Sequence, residues 1–383
     1  MKIGLLREIL ENETRVALIP TMVSEISKIG ATVLVEKDAG SKATFSNEAY
    51  EKAGAEIVSA AKKIYKEADL VLKIQPPSIN GSSEVKMLRE GSSLIGLLSP
   101  LTNLDLVEKM LQKKITAFSL EFVPRISRAQ SMDVLSSMST VAGYKAVLLA
   151  TQYFGKFFPL LMTAAGTIPP AGVFILGAGV AGLQAIATAK RLGAKVEAFD
   201  VRPSVKEQIE SLGARFVEME LPEDVETKDG YAKEISADFI KKELEAIGSR
   251  LPKTDIVIST AQVFGKKAPI LLTEEMVKTM KEGSVIIDLA AEQGGNCELT
   301  QAGKAIRKYG VVIAGPVNLA AKMPTHASQM FSRNIVNFVK HVYQAEDKKL
   351  DFEDEITRGS CICTNGELMN ELIKKLMANG GKS

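Results

Sequence analysis

The sequence has no tryptophan and only two histidines, His326 and His341, among its 383 residues. A metal centre built on several imidazoles therefore has nothing to be built from. Cysteine is nearly as scarce. There are three, an odd number, and Cys361 and Cys363 stand one residue apart, too tight for a CxxC zinc pair, so they read as free thiols. An excess of one charge is missing too: 48 Lys and Arg against 46 Asp and Glu leave a formal +2. No basic run interleaves with aromatics as a nucleic-acid surface requires, and no nucleic-acid partner is expected. The most apolar run near the middle, residues 157–165, is broken by Pro159 and falls far short of the about 20 residues a membrane helix needs. The first residues form an apolar strand (2–6) without the basic segment and apolar run of a signal peptide, so the chain is expected to be soluble and intracellular.

What is present centres on residues 173–200, VFILGAGVAGLQAIATAKRLGAKVEAFD. An apolar strand, a glycine turn, a helix without breakers as far as Arg191 and a second strand ending in Asp200 make a βαβ opening. Gly177 permits the tight turn, Gly179 lets backbone N–H groups approach a pyrophosphate, and Gly182 lets the helix pack close on its strand. Asp200 follows about 20 residues later, where a carboxylate can accept from a ribose 2′-OH. A glycine turn alone also serves plain packing. Strand, helix and acid together point to a dinucleotide.

At this length two domains of roughly 150 to 200 residues are expected. The first alternates strands at residues 2–6, 31–36, 70–74, 92–98 and 115–121 with helices such as 21–30 and 48–61, the pattern of a parallel sheet covered on both faces. Arg15, in the polar loop ENETR, reads as a solvated arginine. Residues 124–133, PRISRAQSMD, form a polar loop before a long apolar helix (134–154), at a domain junction where ligands are met. There Arg125 can donate to carbonyl or phosphate oxygens and Gln130 can pair with a carboxamide. Asp133 and Ser136 can serve a ligand or cap the helix.

After the glycine turn, strands are expected at 214–220, 254–260, 283–289 and 309–315, giving six, as a dinucleotide-binding sheet has. Between them LPEDVETKDGYAK, residues 221–233, has few apolar anchors; it reads either as a surface loop or as a cover carrying Tyr231 after Gly230. A long helix at 328–346 is expected to cross back to the first domain. The fold class is thus α/β with two doubly wound parallel-sheet domains: a discontinuous, flavodoxin-like first domain, 1–138 completed by 329–383, with a Rossmann NAD-binding domain, 139–328, inserted.

GAGVAGLQAIATAKRLGA, DVRP, PRISRAQSMD, MTAAGTIPPA, DLAAEQGGN and GYAKE together resemble the NAD(H)-binding alpha subunit (domain I) of proton-translocating nicotinamide nucleotide transhydrogenases over essentially the whole chain. The resemblance implies that Arg125, Gln130 and Asp133 orient the nicotinamide. It implies cofactor contacts at Ser136, Val180, Asp200, Val201, Arg202, Gly230, Tyr231 and Gln262. Arg202 alone could attract a 2′-phosphate; with Asp200 beside it the reading is NAD(H), with NADP(H) supplied on a partner subunit. Relatives carry Gln where this chain has Glu243. The resemblance also implies a homodimer and attachment to the inner membrane through partner subunits. The alanine dehydrogenases share the fold, and amino-acid oxidation needs groups that move protons. Where that family has a Lys, a His and an Asp, this chain has Gln75, Ser99 and Glu292; only Arg15 remains.

Overall fold

The computed structural model describes residues 1–81, 83–219, 237–343 and 350–378. They form two compact units, Met1–Met138 with Ala320–Ser383, and Ser139–Leu319. The return to the first unit thus begins at Ala320, ahead of the expected residue 329.

In the first unit the strands Lys2–Leu5, Thr32–Glu36, Leu70–Leu72, Ser93–Gly96 and Thr116–Ser119 run parallel, in the flavodoxin-like spatial order second, first, third, fourth, fifth. Every residue of Leu70–Leu72 is buried, as helices on both faces require. A sixth parallel strand, Glu56–Val58, extends the sheet beside Thr32–Glu36. It lies inside the helix expected at 48–61. Gly54, at φ +94°, ends the helix Asn47–Lys52, and the chain re-enters as an edge strand before the next helix, Ala61–Glu67.

The returning helix, Pro324–Val342, buries Phe331, Ile335, Phe338 and Val339. Phe338 meets Phe118 of the sheet edge-on, centroids 5.6 Å apart. Ser328 and Ser332 are fully buried because their hydroxyls accept from the backbone N–H groups of Val16 and Ile19, at 3.0 Å each. Beyond it, Cys361–Thr364 pairs antiparallel with Thr116–Ser119, and Glu367–Leu368 closes that edge. Cys361 and Cys363 are therefore core residues of a strand, and all three cysteines are free and buried.

The second unit has a seven-stranded sheet whose spatial order is Arg215–Phe216, Lys195–Phe199, Gly172–Leu176, Ile256–Ser259, Val285–Asp288, Val311–Ala314 and Ala305–Lys308. The first six are parallel and are the six expected; Ala305–Lys308 adds an antiparallel edge. Chain order reverses between Gly172–Leu176 and Ile256–Ser259, so a crevice opens at the carboxyl ends of those two strands.

The helix Val134–Tyr153 contains the division between the units. Among the described residues it is the one helix long and apolar enough to cross a membrane, and it is the long apolar helix expected at 134–154. Ala146, Val147 and Ala150 sit in the core of the second unit. A two-stranded hairpin, Leu161–Thr163 with Gly166–Ile168, follows and is largely exposed.

Candidate functional site

The three glycines of the turn meet three different constraints. Gly177 has φ +90°, and a Cβ there would lie 2.8 Å from the Thr260 hydroxyl, which itself donates to the Gly177 carbonyl at 3.0 Å. A Cβ on Gly182 would lie 1.9 Å from the same carbonyl oxygen, so the helix Val180–Arg191 can pack on its strand only without one. Gly179, the residue capping that helix, has nothing within 4 Å of its Cβ position. The free space lies where helix N–H groups face outward, the place a pyrophosphate takes in this kind of turn. Val180, first in the helix, is 43% exposed. The turn thus fits a dinucleotide.

Asp200, at the end of Lys195–Phe199, is buried beside the turn. Its Oδ2 accepts from Ala178 N at 2.7 Å and from Arg202 Nη2 at 3.0 Å, and its Oδ1 from Arg202 N and Nε, both at 2.9 Å. The arginine that sequence left ambiguous is thus the counter-ion of Asp200. Next to the pair, Phe199, Pro203, Lys206, Phe216 and Met219 line a cavity of about 260 Å³. Val201 packs on the core between the sheet and the helix Ala237–Gly248. Gln262, exposed past the end of Ile256–Ser259, donates from Nε2 to Leu289 O at 2.6 Å. Gly230 and Tyr231 lie outside the described residues.

Two residues that sequence reading passed over hold this rim together. Asp288 is fully buried and accepts from Ser259 Oγ, Thr300 Oγ1 and the N–H groups of Ala290, Asn296 and Cys297. Asn296 accepts from Ala261 N at 3.1 Å and returns Nδ2 bonds to Ala261 O and Pro269 O. The signal was there in DLAAEQGGN: a strand ending in Asp, then a Gly-Gly pair and Asn, is a loop folding back on a carboxylate.

In the first unit, residues 124–133 contain a 3-10 turn, Ser127–Met132, with Gln130 exposed and Arg125 exposed. Asp133 is the helix cap: its carboxylate accepts from Ser136 N at 2.8 Å and Ser136 Oγ at 2.6 Å. The loop is fixed from behind. Ser131 O accepts from Asn334 Nδ2 and Asn337 Nδ2, and Arg128 reaches Asp354 at 2.7 Å, a carboxylate also bonded to His341 Nε2 at 2.8 Å.

Arg15 is buried, 4% exposed, contrary to the solvated reading. Its Nε and Nη2 donate to both oxygens of Glu13, at 2.8 and 2.6 Å. Gln75 Nε2 donates to the same carboxylate at 2.7 Å. Burial opposes ionisation of Glu13, but these donors outweigh it and hold its carboxyl down at about 2. The backbone before Gln75 is pinned as well, since Glu8 accepts from Ile74 N at 2.6 Å and pairs with the buried Lys73, which also bonds Glu84. Ser99 sits at φ +47° with its N–H on Glu121, whose carboxyl is pushed up by burial. Glu292 accepts from Asn318 N at 3.1 Å.

Known proteins resemble this chain over most of its length. The chain is 47% identical to an NAD(P) transhydrogenase subunit alpha of Rhodospirillum rubrum, over 97% of this chain and 98% of that one. An alanine dehydrogenase of Staphylococcus haemolyticus is 32% identical over 85% of this chain and 82% of its own length. Among solved structures, the transhydrogenase of Sinorhizobium meliloti superposes with a TM-score of 0.86 at 40% identity, covering 96% of this chain and 100% of that one. The family models for the alanine dehydrogenase/PNT N-terminal and C-terminal domains match residues 4–142 and 146–371. The chain belongs to the alanine dehydrogenase/PNT family.

Proposed function

We propose that this chain is the NAD(H)-binding alpha component of a proton-translocating nicotinamide nucleotide transhydrogenase. Bound NADH supplies a hydride at C4 of its nicotinamide, for direct transfer to NADP+ carried on a partner subunit. In this reading the turn shaped by Gly177 and Gly182 receives the pyrophosphate at Gly179, and Val180, Asp200, Val201 and Arg202 contact the adenosine half. Gln262, Ser136, Gly230 and Tyr231 complete the nucleotide site. Arg125, Gln130 and Asp133 orient the nicotinamide. No general acid or base is needed, because no substrate oxygen or nitrogen changes protonation; placement and exclusion of water carry the rate.

The observation that carries this reading over an alanine dehydrogenase is Gln75. A neutral amide, bonded to the same Glu13 carboxylate that holds Arg15, stands where amino-acid oxidation needs a proton-handling lysine. Ser99 likewise offers no imidazole. Hydride transfer measured with an NADP(H)-binding partner, against alanine oxidation by the chain alone, tests the assignment. The first is expected to be fast and the second absent; alanine turnover without a partner overturns it.

The exposed hairpin supports a homodimer. Met162 is 78% exposed, and Phe157, Leu160 and Ile168 stand out with it, an apolar arm that a second copy would cover. Attachment to the inner membrane, on its cytoplasmic side, follows from membrane-embedded partner subunits that carry the proton path.

A further inference from the structure

Glu243 lies in the helix Ala237–Gly248 and is buried, 9% exposed, with no hydrogen bond or ion pair among the described residues. Buried carboxylates are ordinarily paired, so this one calls for a physical account. Ala246 and Ile247, three and four residues further on, share its face of the helix and pack in the cluster that holds Phe199 and Val201, the residues on either side of Asp200. The face carrying Glu243 thus turns into the same apolar core that takes in both chain neighbours of Asp200. Burial first, and the charge of Asp200 second, push the Glu243 carboxyl up to about 7.

The other charges around it are engaged elsewhere. Lys241, Lys242, Glu245 and Asp238 of the same helix are exposed and pair along its outer face. On the packed strands, Glu197 faces Arg215 and Arg250. On the neighbouring helix Glu274–Lys278, Glu275 pairs with Lys278 and Glu274 bonds Tyr309. Asp200 acts on Glu243; beside it, Arg202 pairs with Asp200 and Lys206 with Glu218.

We propose that Glu243 makes nucleotide binding proton-linked: NAD(H) binds to the protein with Glu243 neutral, and a protein whose Glu243 is ionised takes up a proton as it binds. The proposal rests on the nucleotide reading of the strand-end site. Asp200 must stay ionised to accept from ribose hydroxyls, and the pyrophosphate brings two more negative charges. A nucleotide covering the site also removes water from the second carboxylate. Repulsion and desolvation both favour the neutral acid, which in addition gains an O–H to donate. The proton comes from solvent and returns to it on release.

The sign follows from linkage. If binding raises the proton affinity of Glu243, affinity is constant where the free protein already holds that proton. It weakens above neutrality, by up to about tenfold per pH unit. The test is calorimetric titration of the full chain with NADH from about pH 6 to about pH 8.5, in two buffers of different ionisation enthalpy. Expected are a Kd that rises above pH 7 and an uptake approaching one proton per NADH at the alkaline end. E243Q is expected to flatten both. A Kd independent of pH in the parent protein, without proton uptake, overturns the proposal even if E243Q fails to fold. Unchanged pH dependence in a folded E243Q overturns it too. Failure of NADH to bind at any pH instead overturns the nucleotide reading itself.

Discussion

Gly179 and Gly182 stand three residues apart, yet a methyl group would act on them through different physics. At Gly182 the Cβ would enter the Gly177 carbonyl, so Gly182→Ala must push the helix off its strand. A cost of about 1–3 kcal/mol is expected, read as a fall of several degrees in Tm. At Gly179 the Cβ position is open. Gly179→Ala is therefore expected to leave Tm within about a degree or two and to weaken NADH binding, because the methyl takes room meant for the pyrophosphate. A Tm loss at Gly179 equal to that at Gly182 would remove the distinction. Asp200 carries the second residue-scale prediction. Its carboxylate both accepts from ribose hydroxyls in the proposed site and holds Arg202 by two side-chain bonds. Asp200→Gly is expected to weaken NADH by about 10- to 100-fold, the worth of a charge-assisted hydrogen bond. It also frees a guanidinium for a 2′-phosphate, so NADPH should bind more tightly than to the parent. Fluorescence titration with both nucleotides checks this; NADPH affinity that falls together with NADH affinity would exclude Arg202 from the role.

At the scale of elements, the loop at 124–133 is a short polar segment held from three sides: by the Asp133 cap, by two asparagines of the returning helix, and by Asp354. Side chains that must place a ring gain from such a mount, because an error of about an angstrom can cost on the order of 10²-fold in rate. Gln130→Asn is expected to slow single-turnover hydride transfer far more than it weakens NADH binding. Asp133→Asn separates capping from orientation, since Asn caps about as well as Asp. Parent-like Tm with slowed transfer would assign Asp133 to the nicotinamide; parent-like rate would leave it a cap alone. Much of this was legible in the sequence. The six strands of the second unit announce themselves by apolar runs such as IVIS and VIID, and the glycine spacing by its own chemistry. Other elements were not legible, for identifiable reasons. Ala305–Lys308 ends in two cations and becomes a strand only by pairing with Val311–Ala314. Glu56–Val58 is three residues long and follows a helix without a change in composition. Arg15 looked solvated because its partner, Glu13, lies in the same polar loop, and nothing local tells that the loop is buried as a unit.

For the whole molecule, association is the property most exposed to test. The hairpin Leu161–Thr163 with Gly166–Ile168 is too small to be stable by itself in water, and it shows Met162 and Ile168 outward. Leu160→Asp with Met162→Glu is expected to turn a dimer into a monomer in sedimentation at micromolar concentration, with little loss of NADH affinity per chain. A monomeric parent would remove the dimer from the proposal. The discontinuous first unit has a consequence for synthesis. Thr116 and Thr364 share a hydrogen bond across 248 positions of sequence, and Cys361–Thr364 is the strand that covers the edge at Thr116–Ser119. On a ribosome moving at about 5–20 residues per second, that edge waits on the order of 10 to 50 seconds for its neighbour. The continuous second unit, Ser139–Leu319, can meanwhile be completed. The nascent chain thus carries a finished nucleotide-binding half beside an open, hydrogen-bond-hungry strand, a species that holdase chaperones would recognise and that crowded polysomes would tend to pair edge to edge.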